Sequence, residues 1–385
     1  MEKIREVGKY DIVVVGGGIA GVSASIASAR KGMKVCLIEK FCALGGLATL
    51  GNVCVYLPLC DGKGNQVIGG IAEELLKLSV SDGYRDIPQA WKEGGNIEER
   101  KKIRYKVEFN PVSFMLLLEE LVLKEGIEIR YDSRVFDVIK EDDRIKEILI
   151  LDKEGIGKIS CKVIIDATGD ADICFFAGEK VVSVDKNVAC GWFFYYDGKD
   201  IKKYPFTLRF DSYNIKIEQG IKTFSGDKAD DITNQVIESR KYILKKFFGI
   251  KEKKPSSYLL LVPTIPIFRM TRRLKGKTEL KEKDEGKIFP DSVGMTGDWR
   301  KSGPVYYIPF SCLSAVKIKN LITAVRCISA STVRDVVRAI PVCALTGEIS
   351  GTSASLLIKE KFESFSNLDI KKLQKILKEQ GVIIK

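Results

Sequence analysis

The apolar run Asp11–Val15 has the length of a buried strand and ends at the glycine cluster Gly16–Gly21. From Gly18 to Lys31 small and aliphatic residues recur at helical spacing, and Gly32 stands where a helix-terminating glycine belongs. Lys34–Ile38 is a second buried strand with Glu39 at its end. The pattern therefore predicts strand, glycine turn, helix and strand in succession. Further on, Val67–Ser79 is helical in spacing, and Asn110-Pro111 is an N-cap and N1 pair opening a helix to about Lys124. Ile127–Tyr131 is a strand, whereas Ser81–Glu108 is polar and poorly periodic, as in a lid or excursion.

Three short alternating segments, Arg134–Lys140, Arg144–Leu151 and Gly157–Cys161, are separated by charged turns and predict a β-meander. Val163–Asp166 is a further strand that runs into the small-residue turn Ala167–Asp172. Val181–Asp298 differs in texture, with the aromatic stretch Trp192–Tyr196, charged loops and one helix, Asp231–Phe248. The core pattern resumes in the strand Lys319–Ser329. A helix starts within Val333–Ile340, Pro341 is placed as N1 of a helix to about Lys361, and Leu368–Gln380 is the last helix. The expected architecture is an α/β, Rossmann-type nucleotide-binding domain made of residues 1–180 and 305–385, with a mostly-β substrate or cap domain, 181–304, inserted between them.

Composition narrows the chemistry. The 385-residue chain contains no histidine, so a general acid or base must come from Asp, Glu, Lys, Tyr, Cys or Arg. Its ten cysteines include no C-x-x-C pair, and no metal site is expected. The net charge of +12 is spread along the chain, which suits anionic small ligands better than nucleic acid. No apolar run reaches membrane-spanning length, and the N-terminus lacks the apolar stretch of a signal peptide, so a cytoplasmic protein is expected.

The glycine spacing carries the first functional statement. Gly16 permits the tight turn, Gly18 lets a pyrophosphate approach the backbone, and Gly21 lets the helix pack closely. The N–H groups around Ile19 and Ala20 and the positive end of the helix face the phosphates. Glu39 lies 18 residues after Gly21, where an acid takes ribose hydroxyls. The chain is thus expected to bind a dinucleotide. Lys40 and the second glycine pair, Gly45-Gly46, followed by Ala48 and Thr49, bring backbone to the same ligand again.

Five ordered segments make the resemblance narrower: Leu44–Thr49 (LGGLAT), Ile165–Asp172 (IDATGDAD), Gly297–Pro309 (GDWRKSGPVYYIP), Arg326–Ser329 (RCIS) and Ile340–Ala354. Together with the fingerprint they resemble the bacterial FAD-dependent oxidoreductase family. That family has the glutathione-reductase-like FAD fold and is distantly similar to fumarate reductase and succinate dehydrogenase flavoproteins. One departure is Val325, where the family usually has glycine. The resemblance implies FAD as cofactor, contacted also by Val135, Ala167, Thr168, Gly169, Arg326, Pro341, Val342 and Cys343. It brings no reaction in detail; the expected enzyme moves a hydride or electron pair between flavin N5 and a small organic substrate, with a separate electron donor or acceptor, and the net charge and arginines leave room for an anionic one. Arg272, Arg300 and Arg338 are the foremost candidates for catalysis and substrate binding, with Arg273 and Arg334 beside them, because guanidinium forks clamp carboxylates. The competing reading is a thiol/disulfide oxidoreductase using Cys54 and Cys60. Only one dinucleotide fingerprint is present, so NADH and NADPH are not expected to be direct reductants.

Overall fold

The computed structural model describes residues 4–208 and 220–385. Its centre is a seven-stranded mixed sheet. The strands run in the order Glu128–Arg130, Val35–Ile38, Arg5–Val15, Gly155–Asp166, Arg144–Asp152 and Arg134–Glu141, with Leu321–Thr323 also paired to Gly155–Asp166. The glycine-turn unit forms as expected, with Ile12–Val15 parallel to Val35–Ile38 and the helix Ile19–Ala29 between them.

Gly155–Asp166 corrects the division into a meander strand and a separate core strand. It is one strand of 12 residues. No glycine or proline interrupts it at Lys162, whose side chain leaves the sheet to pair with Asp11 at 2.7 Å. The first half of this strand is antiparallel to Arg144–Asp152, and the last part is parallel to Leu321–Thr323. One strand thus joins the meander to the nucleotide-binding layer. The strand expected over Lys319–Ser329 is shorter than its apolar pattern, because the chain leaves the sheet after Thr323 into a 3-10 turn, Val325–Cys327.

Two helices of small residues cover one face. The helix Ile340–Lys359 lies against Ile19–Ala29 so closely that a Cβ on Gly347 would stand 2.2 Å from the Ala20 carbonyl oxygen, and one on Gly351 2.2 Å from that of Ala24. Ser23 Oγ donates to the Ala344 carbonyl at 2.6 Å, so the hydroxyl is satisfied inside the contact. The alternating Ala and Ser of the first helix follow from this packing: larger side chains would separate the helices. Pro341 falls in the first turn of the longer helix, one residue after its start at Ile340.

Within 181–304 the described strands pair only antiparallel. Ile201–Thr207, Cys190–Tyr196 and Tyr258–Leu261 form a sheet backed by the 25-residue helix Ala229–Lys253, five residues longer at its C-terminal end than its sequence pattern suggested. Strand alternation divides the aromatic run. Phe193 packs with Phe206, Ile243 and Phe247 on the helix side, while Phe194 turns to the main core. Val181–Ser183 pairs with Arg272–Leu274, so the start of this region lies beside the strand to which the chain returns at 272. The hairpin Ser292–Gly297/Val305–Pro309 straddles residue 304, and its Val293, Met295, Tyr306 and Ile308 share the main core with the long helix. The polar stretch 81–108 is tied down by Trp91 stacked on Tyr105 at 5.0 Å and by Arg104, which donates to the carbonyls of Trp299 (2.7 Å) and Lys301 (2.8 Å).

Candidate active site

Gly16, Gly18 and Gly21 do three different jobs. Gly16 has φ +105°, and a Cβ there would be 2.5 Å from the Ala167 carbonyl oxygen. A Cβ on Gly21 would lie 1.8 Å from the Gly16 carbonyl oxygen, inside the turn itself. At Gly18 nothing lies within 4 Å of a Cβ, so its approach side is open. The first intrahelical bond runs from Val22 N to Gly18 O at 2.9 Å, which leaves the N–H groups of Ile19, Ala20 and Gly21 ahead of it, and no side chain caps them. An open glycine beside uncapped helix N–H groups has the geometry that suits a phosphate.

The second glycine pair closes on the first. Gly45 N donates to Gly17 O at 2.8 Å, and a Cβ on Gly46 would come 3.2 Å from Gly18 Cα. Ala48 is buried in the 3-10 turn Gly46–Ala48, and Thr49 Oγ1 donates to the Leu44 carbonyl at 2.6 Å, holding its own loop. Glu39 accepts from Gly17 N at 2.6 Å and Phe41 N at 2.9 Å. Burial raises its pKa, opposed by those backbone N–H groups. Lys40 is exposed. Val135 is the second residue of the outer meander strand Arg134–Glu141, two residues after Ser133, whose N–H donates to the Glu39 carbonyl at 3.2 Å.

The third wall is the Asp166–Asp172 turn. Asp166 is fully buried and accepts from Thr168 N, Thr168 Oγ1 and Cys174 N, so it shapes the turn. Gly169 has φ +78°, and a Cβ there would be 2.7 Å from the Arg326 guanidinium. Arg326 pairs with Asp170 at 2.7 Å, and its buried Nε has no partner among the described residues. Sequence reasoning placed Arg326 here but did not assign Asp166 and Asp170, which hold the turn and the arginine. Their signal was the acid spacing in Ile165–Asp172.

The three foremost arginine candidates separate. Arg272 pairs with Asp172 and lies over the Phe175 ring at 4.4 Å. Arg300 is held by both oxygens of the fully buried Asp298, at 2.9 and 2.8 Å. Arg338 donates from Nε to Asp335 Oδ1 at 2.7 Å, and Cys343 Sγ approaches the Arg338 carbonyl at 3.5 Å. The structure brings Arg338 together with Arg269, Arg273 and Arg334. Burial lowers the pKa of Arg334, with the charges of Arg338, Arg273 and Arg269 acting in the same direction and Asp335 opposing. Arg269 was not among the candidates; its signal was its position in the Arg269–Arg273 run.

The cysteines do not favour the competing thiol/disulfide reading. Although Cys343 lies in the first turn of the long helix, burial pushes its thiol up to about 12 against the pull of Arg326 and Arg338, so the helix end does not produce a thiolate. Cys54 and Cys60 are both buried and not joined by a disulfide, and burial raises Cys54 to about 11. Among the described residues, no group of three or more metal-ligating side chains could hold a metal ion, and no helix is long and apolar enough to cross a membrane.

A parallel βαβ unit with a phosphate cradle defines a Rossmann-type dinucleotide-binding protein. Residues 11–190 and 208–377 match the model of the FAD dependent oxidoreductase family, and the chain belongs to that family. It is an FAD-dependent enzyme, and the open side of Gly18 and the orphan Arg326 Nε suit that cofactor. Thioredoxin reductase of Ureaplasma parvum is 30% identical over 121 residues, 31% of this chain and 36% of that protein. Digeranylgeranylglycerophospholipid reductase of Picrophilus torridus is 27% identical over 192 residues, 46% of this chain and 44% of the relative. The chain thus spans less than half the length of these curated relatives. A solved geranylgeranyl bacteriochlorophyll reductase-like protein from Thermoplasma acidophilum superposes with a TM-score of 0.48 at 15% identity, over 97% of this chain and 84% of that one.

Proposed function

We propose that the enzyme moves a hydride or electron pair between N5 of FAD and a small organic substrate lying between the nucleotide-binding core and the 181–304 region. In this reading Gly16–Gly21, Gly45-Gly46 and Ala167–Gly169 hold the pyrophosphate and ribitol side, Glu39 takes the ribose, and Arg326 faces the phosphates or ribitol. The helix starting at Ile340 presents the N-terminal turn Pro341-Val342-Cys343 to the flavin ring. Bound FAD supplies the redox chemistry. The protein supplies orientation, exclusion of water and a positive environment where the ring gains negative charge on reduction.

The observation that carries this reading is the position of Arg338. It ends the turn Arg334–Val337, immediately before the Ala339 cap of the long helix, and so joins the arginine group to that helix end. In this reading the sheet Cys190–Tyr196, Ile201–Thr207 and Tyr258–Leu261, with its backing helix, serves as the cap over the substrate. Arg272 and Arg300 serve in this reading as positioning residues, since each is already engaged by an aspartate. The test is anaerobic: the purified yellow protein is mixed with a panel of carboxylates, polyols, sugars and enones, before and after dithionite reduction. Saturable bleaching, or saturable reoxidation, by at least one compound is expected; no response to any of them refutes the reading.

A further inference from the structure

We infer that the group around Arg334 is the binding site for a carboxylate on the substrate, which makes the substrate a small organic acid. This rests on the reading above that the substrate lies at the start of the long helix. Arg334 is only 8% exposed. Among the described residues its guanidinium has neither a hydrogen bond nor an ion pair, whereas its neighbours do: Arg273 with Glu279 at 2.8 Å and Arg338 with Asp335 at 2.7 Å. A buried guanidinium without a counter-ion is costly, and the cost rises when other guanidiniums surround it. Arg269, Arg273 and Arg338 all lie within electrostatic reach of Arg334.

The surrounding groups are fixed. Trp299 Nε1 donates to the Asp335 carbonyl at 2.8 Å, which holds the turn carrying Arg334 and Arg338. Cys343 Sγ on the Arg338 carbonyl ties the same turn to the long helix. Arg273 Nη1 is a second buried donor without a partner. Arg273 and Arg338 are each paired with an acid, which leaves Arg334 as a guanidinium of this group with no hydrogen bond or ion pair among the described residues. A carboxylate of an organic substrate fits the planar fork of that guanidinium.

The experiment uses the FAD-loaded full chain at constant ionic strength. Acetate, benzoate, malonate and inorganic phosphate are titrated against the visible flavin spectrum and the unfolding temperature. Wild type, Arg334→Met, Arg334→Lys and the exposed control Arg240→Met are compared. At least one carboxylate should perturb the spectrum saturably and raise the unfolding temperature, and phosphate should do neither. Arg334→Met should weaken that carboxylate at least about tenfold, Arg334→Lys less, and Arg240→Met not at all. Without ligand, Arg334→Met should unfold at the same temperature as wild type or higher, because a buried unpaired charge has been removed. The inference is overturned by phosphate binding in preference to every carboxylate, by no saturable effect of any carboxylate, or by equal carboxylate affinity in Arg334→Met. A large fall in the unfolding temperature of both Arg334 variants would likewise overturn it by showing a structural cation. Bleaching by a neutral compound without any carboxylate effect would defeat this site while leaving the redox reading intact. Carboxylate binding in an enzyme that no compound bleaches or reoxidises would do the reverse.

Discussion

Arg272 and Asp172 join the two parts of the chain: Nη2 of the arginine, at the start of the strand Arg272–Leu274, meets Oδ1 of the aspartate at the end of the Asp166–Asp172 turn. Next to them Thr271 Oγ1 donates to Asp170, the same acid that pairs with Arg326. Side chains from the return strand thus bind the Asp166–Asp172 turn that also holds Arg326.

The Arg272–Asp172 contact predicts a pH dependence. Burial and the charges of Asp170 and Asp166 push Asp172 up to about 6, against the pull of Arg272. The folded value exceeds the ordinary one, so the native state favours the protonated form relative to the unfolded chain. The associated stability is complete below about pH 4 and is lost as pH rises through about 6. Asp172→Asn should flatten the pH dependence of unfolding free energy between those limits. Arg272→Met should move the midpoint above that of wild type, as read by denaturant unfolding across a pH series. An unchanged profile in both variants would show that Asp172 does not titrate in this window.

Gly18 and Gly21 should fail in opposite ways when given a side chain. Gly18 has φ −67° and an open Cβ direction, so Gly18→Val should keep the circular dichroism spectrum of the apoprotein while losing FAD. Gly21→Ala puts a methyl group into the Gly16 carbonyl and should destabilise the fold by about 3 kcal/mol or more. Retained FAD in Gly18→Val, or wild-type stability in Gly21→Ala, would contradict this assignment of roles.

The difference between those glycines shows what was readable in advance. Spacing alone placed Gly16, Gly18, Gly21 and Glu39 in one unit, because strand, turn and helix periods are local properties. Asn110 capping Val112 N at 3.0 Å was legible for the same reason. The arginine roles were not local. Nothing in the sequence indicates that Asp298 engages Arg300 from both oxygens, or that Arg334 is buried near Arg338 with no ion pair among the described residues. The second fact depends on how the return of the chain at 269–273 meets the turn at 334–338. Val325 was legible only as a departure from family pattern. The structure adds that it has φ +75°, a conformation costing a β-branched residue about 1–3 kcal/mol, held by its N–H donating to Thr346 Oγ1 at 3.1 Å.

Glu348 is a second titrating position, remote in role from the cradle. It is 1% exposed on the long helix, accepts from Ile71 N at 2.8 Å, and burial lifts it to about 8. It borders a cavity of about 480 Å³ shared with Arg30, Glu74 and Lys77. Because the folded value is raised, its contribution to stability is present below about pH 4.5 and is lost as pH climbs through about 8. Glu348→Gln keeps an acceptor for Ile71 N, so it should stabilise the protein at pH 8 relative to wild type and change little at pH 5. Equal stabilities at pH 8 would place the wild-type carboxyl in an ordinary environment.

Neither NADH nor NADPH should reduce the flavin efficiently. Enzymes of the glutathione-reductase type that accept nicotinamide directly use a second βαβ unit, with its own glycine turn, for the second pyrophosphate. Here the glycines Gly276, Gly286 and Gly294 stand elsewhere. Gly276 would place a Cβ 2.8 Å from the Ser311 carbonyl, Gly286 follows the 3-10 turn Glu282–Asp284, and Gly294 packs on Leu345 within a hairpin strand. The strand pairs of the described part of 181–304 are antiparallel, and a crossover helix between parallel strands is absent there. Electrons should therefore arrive from the organic substrate or leave to a separate carrier. Rapid anaerobic mixing with excess NADH or NADPH should bleach the flavin slowly, at a rate linear in nucleotide concentration. Fast bleaching that saturates would demonstrate a nicotinamide site built without a second βαβ unit.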